Sequence, residues 1–328
     1  MNRILITGAN GFIGQSLCRY LIKKNKFVRG VVRDKLSIKN SDNIQYVSVG
    51  DINFKTNWMY LLSDIDCIIH CAGKTHSLAK KNIISDESYK SVNIDGTKQL
   101  AIKAAEAGVK RMIFLSSIKV NGENTDGLKL NEIDGTQHKF FFTHTDEPAP
   151  KDIYGLSKWN AEKELWKVSA KTNLKVNILR LPLVYGAGVK GNLNRLLRLV
   201  HLGIPLPFGL IKNNRSMIAL DNLIDLINRC IDHPDAVGKT FLVSDGDDLS
   251  TPQLIKLMAS YMGRSASLFP VPISFLKAFG YFFNKSEEIN KLVGSLRVDN
   301  SFTCKILNWS PQINVSEGIK RMVQSEKF

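Results

Sequence analysis

Short apolar runs alternate with amphipathic stretches over the first half of the chain. Each run has about the length of a strand buried on both faces. The runs are RILIT, FVRGVVR, DCIIHCAG, KRMIFLSS and LKVNILRLPLVYG. The stretches QSLCRYLIKKN and SYKSVNIDGTKQLAIKAAEAG predict helices between them, the second a long one ending at Gly108. Strands that alternate with helices predict an α/β fold with a parallel sheet covered on both faces.

The alternation weakens after about residue 186, where prolines divide the chain into shorter segments. We expect a sheet domain over residues 1–185 and a smaller C-terminal lobe over residues 186–328. Part of about 215–245 is expected to return to the sheet domain. The prolines are Pro205, Pro207, Pro252, Pro270 and Pro272.

Composition places the chain among ordinary globular proteins, since 44% of its 328 residues are apolar and 23% are charged. The sequence has no run of about 18 apolar residues, so no membrane-spanning helix is expected. The five cysteines are scattered without the spacing of metal ligands, and the chain starts without a cleavable signal. We therefore expect free thiols, no metal site and a cytoplasmic location.

The net charge of +15, from 45 basic and 30 acidic residues, bears on the class of partner. Such a charge suits nucleic acid, an anionic membrane or a phosphorylated substrate. The sequence shows no motif that joins aromatic and basic residues for nucleic-acid binding, so we expect no nucleic-acid partner. A lysine-rich solvated surface is the alternative explanation of the charge.

A glycine-rich loop, TGANGFIG, lies directly between the first predicted strand and the first predicted helix. Gly8, Gly11 and Gly14 allow a tight turn and a close approach to a pyrophosphate, whose charge sits at the helix N-terminus. In this strand–turn–helix context the loop predicts a dinucleotide-binding, Rossmann-type doubly wound sheet. A purely structural turn is the alternative.

The second predicted strand bears on the choice of dinucleotide. An NAD-binding sheet usually carries an acid near the end of this strand, where it holds the ribose 2′-hydroxyl. Here Val32 is followed by Arg33, with Lys35 close by. Because a guanidinium can pair with a 2′-phosphate, we expect NADP(H) to be favoured over NAD(H). Asp34 keeps the NAD alternative open, since a shift of one residue would restore the acid.

A tyrosine stands four residues before a lysine in KDIYGLSKWNAEKEL, which reads as the start of a helix. Tyr154 and Lys158 would be neighbours on one helical face, as a proton-transfer pair requires. Tyr20–Lys24 and Tyr281–Lys285 have the same spacing, so spacing alone does not identify the pair.

Several motifs together resemble the extended short-chain dehydrogenase/reductase superfamily, in particular its NAD-dependent epimerase/dehydratase family. In chain order they are TGANGFIG, HCAG, SVNIDGT, LSSIKVNG, YGLSK and LRLPLVYG. The resemblance runs from residue 1 to about residue 245, and more loosely to LNWSP near the C-terminus. It implies an enzyme whose catalytic tyrosine follows a serine at the end of the fourth strand. Ser117, Tyr154 and Lys158 fit this pattern, whereas the other two tyrosine–lysine pairs do not.

The resemblance implies a role for each of these three residues. Tyr154 would exchange a proton with the reacting sugar oxygen, and Ser117 would hydrogen-bond the same oxygen. A phenol with its ordinary pKa of about 10 is a poor base at neutral pH. The Lys158 ammonium, with an oxidised nicotinamide, would favour the phenolate. Lys158 would also hold the nicotinamide ribose.

The resemblance also implies the cofactor contacts. Asp51 would meet the adenine ring, and Asn93 would brace the sheet near the site. A turn former and a plain helix residue are the alternatives for these two positions. The full expected set is Gly8, Gly11, Phe12, Ile13, Gly14, Arg33, Asp51, Ile52, Ala72, Asn93, Tyr154, Lys158 and Pro182.

The residues after Ser117 limit the type of reaction. Nucleotide-sugar dehydratases carry an Asp–Glu pair where this chain has Ile118 and Lys119, so dehydration is not expected. Asn121 stands where many 4-epimerases have a tyrosine. This form resembles a bacterial polysaccharide branch that acts on UDP-linked N-acetylhexosamines as 4-epimerases or 4-keto reductases.

Contacts to a UDP-sugar are expected from the smaller lobe as well as from Ser117. By resemblance, Asn192 would contact the diphosphate or sugar, Phe208 would lie near the uracil, and Arg215 would grip the diphosphate. Arg297 is a weaker candidate for that last role. The alternatives are a core position for Phe208 and a surface salt bridge for Arg215.

We expect a 4-keto reductase that completes a UDP-linked 6-deoxy-N-acetylhexosamine for surface polysaccharide. A UDP-sugar 4-epimerase with tightly held NAD is the alternative, because both reactions begin at C4. A catalytically silent NADP(H)-binding protein is the more distant one. The expectation of a reductase depends on the expectation of NADPH, since biosynthetic reductases usually take their electrons from NADPH.

The segment LFPVPISFLKAFGYFF, residues 268–283, is unusually apolar and aromatic. Its prolines and glycine argue against a spanning helix. It is expected to be a core or lid helix of the smaller lobe. The alternative is a patch with weak membrane-surface association, helped by the positive charge, for a lipid-linked sugar.

A homodimer is expected through the helices at about 86–107 and 154–170, where the resembled family commonly builds a two-fold four-helix interface. Leu165, Trp166 and Val168 add more apolar surface there than one sheet contact needs.

Overall fold

The computed structural model describes residues 1–34, 44–75, 86–126 and 141–326, and the backbone of 131–133 and 136–138. Its strands are β1 (Arg3–Thr7), β2 (Phe27–Val32), β3 (Ile44–Ser48), β4 (Cys67–His70), β5 (Arg111–Ser117), β6 (Asn131–Ile133), β7 (Thr136–His138), β8 (Lys175–Leu181), β9 (Leu183–Tyr185), β10 (Met217–Ala219) and β11 (Thr240–Leu242).

The α-helices are α1 (Phe12–Lys23), α2 (Met59–Leu62), α3 (Asp86–Tyr89), α4 (Thr97–Glu106), α5 (Ile153–Lys171), α6 (Asn192–His201), α7 (Leu220–Asp232), α8 (Thr251–Tyr261), α9 (Ile273–Phe282), α10 (Ser286–Val293), α11 (Ser301–Leu307) and α12 (Val315–Ser325). A π-helical segment, Lys90–Gly96, joins α3 to α4. Short 3-10 turns cover Ile118–Val120 and Pro234–Ala236.

Seven strands form the central sheet in the order β3-β2-β1-β4-β5-β8-β11, and every neighbouring pair is parallel. From β1, the strands β2 and β3 extend the sheet in one direction, and β4, β5, β8 and β11 extend it in the opposite direction. The strand order therefore reverses between β1 and β4, as in doubly wound folds. This arrangement confirms the expected α/β fold.

Successive strand residues point to opposite faces of the sheet, and each face has its own apolar core. Ile4 and Ile6 of β1 pack into the core that α1 and α7 cover. Leu5, between them, packs into the core that α4 and α5 cover. β4 and β5 are buried along their whole length. Burial on both faces explains why these strands are near-continuous apolar runs in the sequence.

The long helix expected before Gly108 differs in its first part. Lys90–Gly96 is a π-helix between the short α3 and α4. The wider turn carries Asn93, whose side-chain oxygen accepts a hydrogen bond from Lys74 N. Its amide nitrogen donates to Lys74 O and to Ser157 Oγ. Interrupted helices of this kind are frequent at functional sites.

The smaller lobe has an apolar core of its own, formed mainly by α6, α8 and α12. β9 and β10 make a parallel pair at its edge. The chain returns to the central sheet at β11, which pairs with β8. Among the described residues, no helix has both the length and the apolar character needed to cross a bilayer.

The apolar residues expected at a dimer interface lie mostly inside the chain's own core. Leu165 and Val168 are buried between α5 and the sheet, and Trp166 packs against the same core while partly buried. On the surface, Lys98 of α4 and Glu164 of α5 form an ion pair at 2.8 Å. This face therefore offers less apolar surface than expected. The homodimer stays a prediction, which a monomer by light scattering at micromolar concentration would contradict.

Candidate active site

The candidate site lies at the carboxyl ends of β1, β4 and β5, next to the point where the strand order reverses. Ligands of doubly wound sheets bind in the crevice at this edge. β1 leads into the glycine loop, β4 ends one residue before Cys71, and β5 ends at Ser117. The sheet thus brings residues that are distant in sequence to one edge.

The glycine loop is built for close backbone approach. Gly8 has a φ of +65°, and a Cβ there would lie 3.0 Å from the Ala72 nitrogen. A Cβ on Gly14 would lie 2.2 Å from the Gly8 oxygen, so α1 could not approach β1 with any larger residue. Gly11 caps α1 without a side-chain hydrogen bond, and the first turn of the helix holds no acid. The loop therefore fits a pyrophosphate at a helix N-terminus.

Phe12 and Ile13 begin α1 behind this loop and are half-buried. Ala72 donates its backbone N–H to Thr7 Oγ at 3.1 Å, which ties the end of β4 to β1. Pro182 is buried directly after β8. These positions all lie along the sheet edge where the cofactor was expected.

Lys158 is buried on the inner face of α5. Its Nζ donates to the Leu115 carbonyl at 2.9 Å and lies 4.6 Å from the centre of the Phe114 ring. Burial lowers the pKa of Lys158 to about 8, opposed by Cys71 and Glu162. A Cβ on Gly73 would come within 3.1 Å of Nζ. The ammonium thus occupies the space between β5 and the chain that follows β4.

Tyr154 lies one helical turn before Lys158, and its phenol is hydrogen-bonded to the Ser117 side chain. Burial raises the pKa of Tyr154 to about 12, and the hydrogen bond from Ser117 opposes this rise. Because Tyr154 and Lys158 lie on the same side of α5, the structure brings the three expected catalytic residues together.

The start of α5 is fixed beside Ser117 by a local set of contacts. Asp152 caps the helix, and its Oδ1 accepts the Gly155 N–H at 2.6 Å. Lys119 pairs with this carboxylate and, at 2.9 Å, with Glu123. A Cβ on Gly155 would lie 2.7 Å from the Lys119 oxygen. The glycine therefore lets the catalytic helix begin against the turn that follows β5.

A buried ion pair holds the next turn of the same helix. Glu162 and Arg180 are both buried, and Arg180 Nη2 donates to Glu162 Oε2 at 2.7 Å. Ser116 donates to Glu162 Oε1 at 2.5 Å, and Arg180 Nη1 donates to Asn121 Oδ1 at 3.0 Å. The pair thus links α5 to β5, β8 and the turn after Ser117. Removing one partner of such a pair costs about 3–5 kcal/mol, because the other charge stays buried.

Sequence reasoning missed two groups beside the site, the Glu162–Arg180 pair and His70. The His70 ring is joined to Thr7 Oγ at 2.6 Å through Nδ1 and to Thr97 Oγ at 2.9 Å through Nε2. Burial, and then the charge of Lys158, lower the pKa of His70 to about 3. The signal in the sequence was a polar residue inside an apolar run, the histidine of DCIIHCAG.

The residues expected to contact the substrate make different kinds of contact in the structure. Arg215 donates from Nη1 to the Lys291 and Gly294 carbonyls at 2.8 and 3.2 Å, so it is not the surface salt bridge of the alternative interpretation. Arg297 pairs with Asp248 at 2.6 Å and lies 3.9 Å from the centre of the Phe141 ring.

The other two expected substrate residues differ in exposure. Phe208 is buried in the small-lobe core, where the alternative interpretation places it. Asn192 is exposed at the start of α6.

Comparison with known proteins gives consistent matches. Residues 4–244 match the NAD dependent epimerase/dehydratase family. The chain is 42% identical over 324 residues to the UDP-glucose 4-epimerase of Vibrio cholerae. The matched region covers 98% of this chain and 94% of that protein. These matches confirm the resemblance found in the motifs.

Two solved structures share the fold. The UDP-glucuronic acid 4-epimerase of Bacillus cereus, in complex with NAD, superposes with a TM-score of 0.77 at 21% identity, covering 98% of each chain. MoeE5, in complex with UDP-glucose and NAD, has a TM-score of 0.77 at 21% identity, covering 99% of this chain and 98% of the other.

The expected preference for NADP(H) is wrong. Both solved structures hold NAD, and the local charges of this chain explain the error. Arg33 Nη1 lies 3.7 Å from Asp51 Oδ1, with both side chains exposed. A 2′-phosphate beside Arg33 would also meet this carboxylate, which repels it. Lys35, the other expected cation, lies outside the described residues.

The neutral His70 predicts a pH dependence of stability. The folded pKa of about 3 lies below the ordinary value of 6.5. As the pH falls below 6.5, the unfolded chain therefore binds a proton that the native state refuses. The unfolding free energy should fall by up to about 1.4 kcal/mol per pH unit more in the wild type than in His70→Asn. Urea unfolding between pH 6.5 and 4.5 measures this, and parallel profiles of the two proteins would contradict it.

Proposed function

Because this chain belongs to the NAD dependent epimerase/dehydratase family, we propose that it is a UDP-sugar 4-epimerase that keeps NAD bound through the reaction. The observation that carries the proposal is the meeting of Ser117, Tyr154 and Lys158 beside the glycine loop. The similar Vibrio cholerae protein, a UDP-glucose 4-epimerase, supports the same reaction here. The complete set of three residues argues against a catalytically silent binder.

The residues at the sheet edge would hold the cofactor as follows. The amides of the glycine loop, at Gly8, Gly11 and Gly14, would bind the pyrophosphate. Asp51 and Ile52 would face the adenosine end, where the Asp51 carboxylate suits a ribose hydroxyl better than a phosphate. Lys158 would hold the other ribose. When bound, oxidised NAD supplies the reversible two-electron oxidation of the sugar at C4.

The chain's own residues manage the proton at the C4 oxygen. Tyr154 would take the hydroxyl proton as a phenolate. The Ser117 hydrogen bond favours this form, and the Lys158 ammonium and bound oxidised NAD would favour it further, against the effect of burial. With its pKa raised by burial, the protonated phenol holds that proton and returns it to the ketone oxygen. Ser117 keeps the oxygen in place in both directions. Asn93 is a positioning residue: its side-chain amide holds the Lys74 backbone and the Ser157 side chain next to these atoms.

An epimerase is favoured over a 4-keto reductase because Asp51, next to Arg33, disfavours NADPH. The preference for a reductase depended on NADPH, and it falls with the correction at Arg33. Lys119 bridges Asp152 and Glu123, so it does not offer the acid or base of a dehydratase. A UDP-sugar would extend toward residues 186–328, where Asn192, Arg215 and Arg297 remain the proposed contacts. Because the five cysteines are free thiols, a cytoplasmic location is part of the proposal.

Product analysis tests the proposed reaction directly. Incubation with UDP-glucose, and separately with UDP-N-acetylglucosamine, should give the C4 epimer of at least one of them by proton NMR. Because NAD is regenerated in each turnover, no added cofactor should be consumed and nicotinamide absorbance should not change with turnover. Consumption of NADPH with a 4-keto sugar, without epimer formation, would establish the reductase instead.

Replacing the phenol tests the assignment of Tyr154. Tyr154→Phe should lower kcat by about 10²–10⁴-fold, because general acid–base catalysis is worth that much, while NAD stays bound. Lys158→Met should lower both turnover and NAD content. Tyr281→Phe is the matched control, since Tyr281 has the same spacing to a lysine but lies exposed on α9. A near-wild-type rate for Tyr154→Phe would contradict the assignment.

A further inference from the structure

The segment 268–283, expected mainly as a core or lid helix, is largely exposed. We define the aromatic face as Phe269, Phe275, Phe279, Tyr281, Phe282 and Phe283, whose side chains are 44–79% exposed. Within α9, burial is confined to Leu276 and Gly280. A Cβ on Gly280 would lie 2.9 Å from Ile289 of α10. The helix is therefore attached along one edge, and its opposite side is turned outward.

The aromatic face is continuous. Phe275, Phe279 and Phe282 follow the i, i+4, i+7 spacing that aligns side chains on one helical side. The Phe279 and Phe283 rings lie 4.3 Å apart, and those of Tyr281 and Phe282 lie 6.0 Å apart. Single exposed apolar residues are normal on protein surfaces, but a contiguous cluster marks a surface that meets an apolar partner.

Neighbouring residues extend the apolar surface. Leu206 pairs with Leu268, and the Gly209 N–H donates to the Phe269 carbonyl at 3.1 Å. These contacts hold the 202–211 loop against the start of the aromatic segment. That loop exposes three further apolar side chains, Leu202, Ile204 and Leu210.

In the two stretches of chain that supply this apolar surface, up to Ser286, all charged residues are positive. Residues 186–220 contain five Lys or Arg residues and residues 249–286 contain four, with no Asp or Glu in either stretch. Lys277 is exposed within α9 itself, and Lys285 follows it. The acids that come next are paired with lysines, Glu288 with Lys285 and Glu287 with Lys291. An apolar face bordered by cations is complementary to an anionic, apolar partner.

We propose that the aromatic face docks on an anionic lipid bilayer, with α9 lying in the plane of the membrane surface. Phenylalanine and tyrosine rings suit the boundary between headgroups and acyl chains. Lys277 would meet a lipid phosphate, to which surface cations are attracted. At ten residues, α9 can lie in this boundary but cannot cross it. The proposal is independent of the reaction at C4.

Co-sedimentation with vesicles tests the proposal. The wild type should pellet with vesicles of phosphatidylcholine and about 30% phosphatidylglycerol at about 50 mM salt, and be released at about 500 mM salt, where charges are screened. Binding to phosphatidylcholine alone should be weaker. The triple variant Phe275→Ser, Phe279→Ser, Phe282→Ser should bind the anionic vesicles at least about tenfold more weakly. Lys277→Glu should weaken binding about tenfold through charge alone.

Phe54→Ser is the matched control, because Phe54 is similarly exposed but lies on the loop after β3; it should bind vesicles like the wild type. The triple variant should also keep its turnover of soluble substrate in the absence of vesicles, which separates this proposal from the proposed reaction. Absence of wild-type binding to anionic vesicles at low salt would overturn the proposal. Equal binding by the triple variant would overturn it too. A wild-type dimer that the triple variant dissociates would assign the face to contacts between copies of this chain.

Discussion

A positive charge buried at the carboxyl edge of the sheet is the constraint on which the rest of the site depends. Burying an ammonium is costly unless its donors are satisfied. Lys158 meets this cost with the Leu115 carbonyl and the face of Phe114. Both partners lie on β5, so the lysine fixes the distance between α5 and the central strand. Tyr154 lies one turn before Lys158, and Ser117 is the last residue of β5. The position of Lys158 therefore brings the Tyr154 phenol within hydrogen-bond distance of the Ser117 side chain.

The same charge limits what its neighbours can be. The chain after β4 passes so close to Nζ that a Cβ at Gly73 would lie 3.1 Å from it, and Lys158 would have to shift to make room. His70 stays neutral first because its ring is buried, and second because the nearby Lys158 charge would repel another positive charge. One turn beyond Lys158, Glu162 is neutralised by Arg180. The inner face of α5 thus carries polar groups on successive turns, each held by a partner from another element.

The sequence predicts most of the fold because its signals are local. Fully buried strands appear as apolar runs, and the glycine loop has its strand and helix on either side. The catalytic residues could be selected from three tyrosine–lysine pairs only by the order of the motifs. Four features were not accessible in this way. β3 is short and mixes apolar with polar residues, and the sequence of the π-helix has the same pattern as an α-helix. Arg33 is paired with Asp51, an acid that follows a different strand. The aromatic segment could be recognised as apolar but not as exposed. Each depends on contacts between elements rather than on residue spacing.

The ionisation of Lys158 reports directly whether its ammonium is buried between α5 and β5. Selective ¹⁵N-lysine labelling, followed by NMR titration of the side-chain amines, reports the pKa of each resolved lysine. One lysine should titrate with a pKa of about 8, and its signal should be lost in Lys158→Met. If every lysine, including the one lost in that variant, titrates near the ordinary value of about 10.4, the Lys158 ammonium is not buried and does not hold α5 beside Ser117.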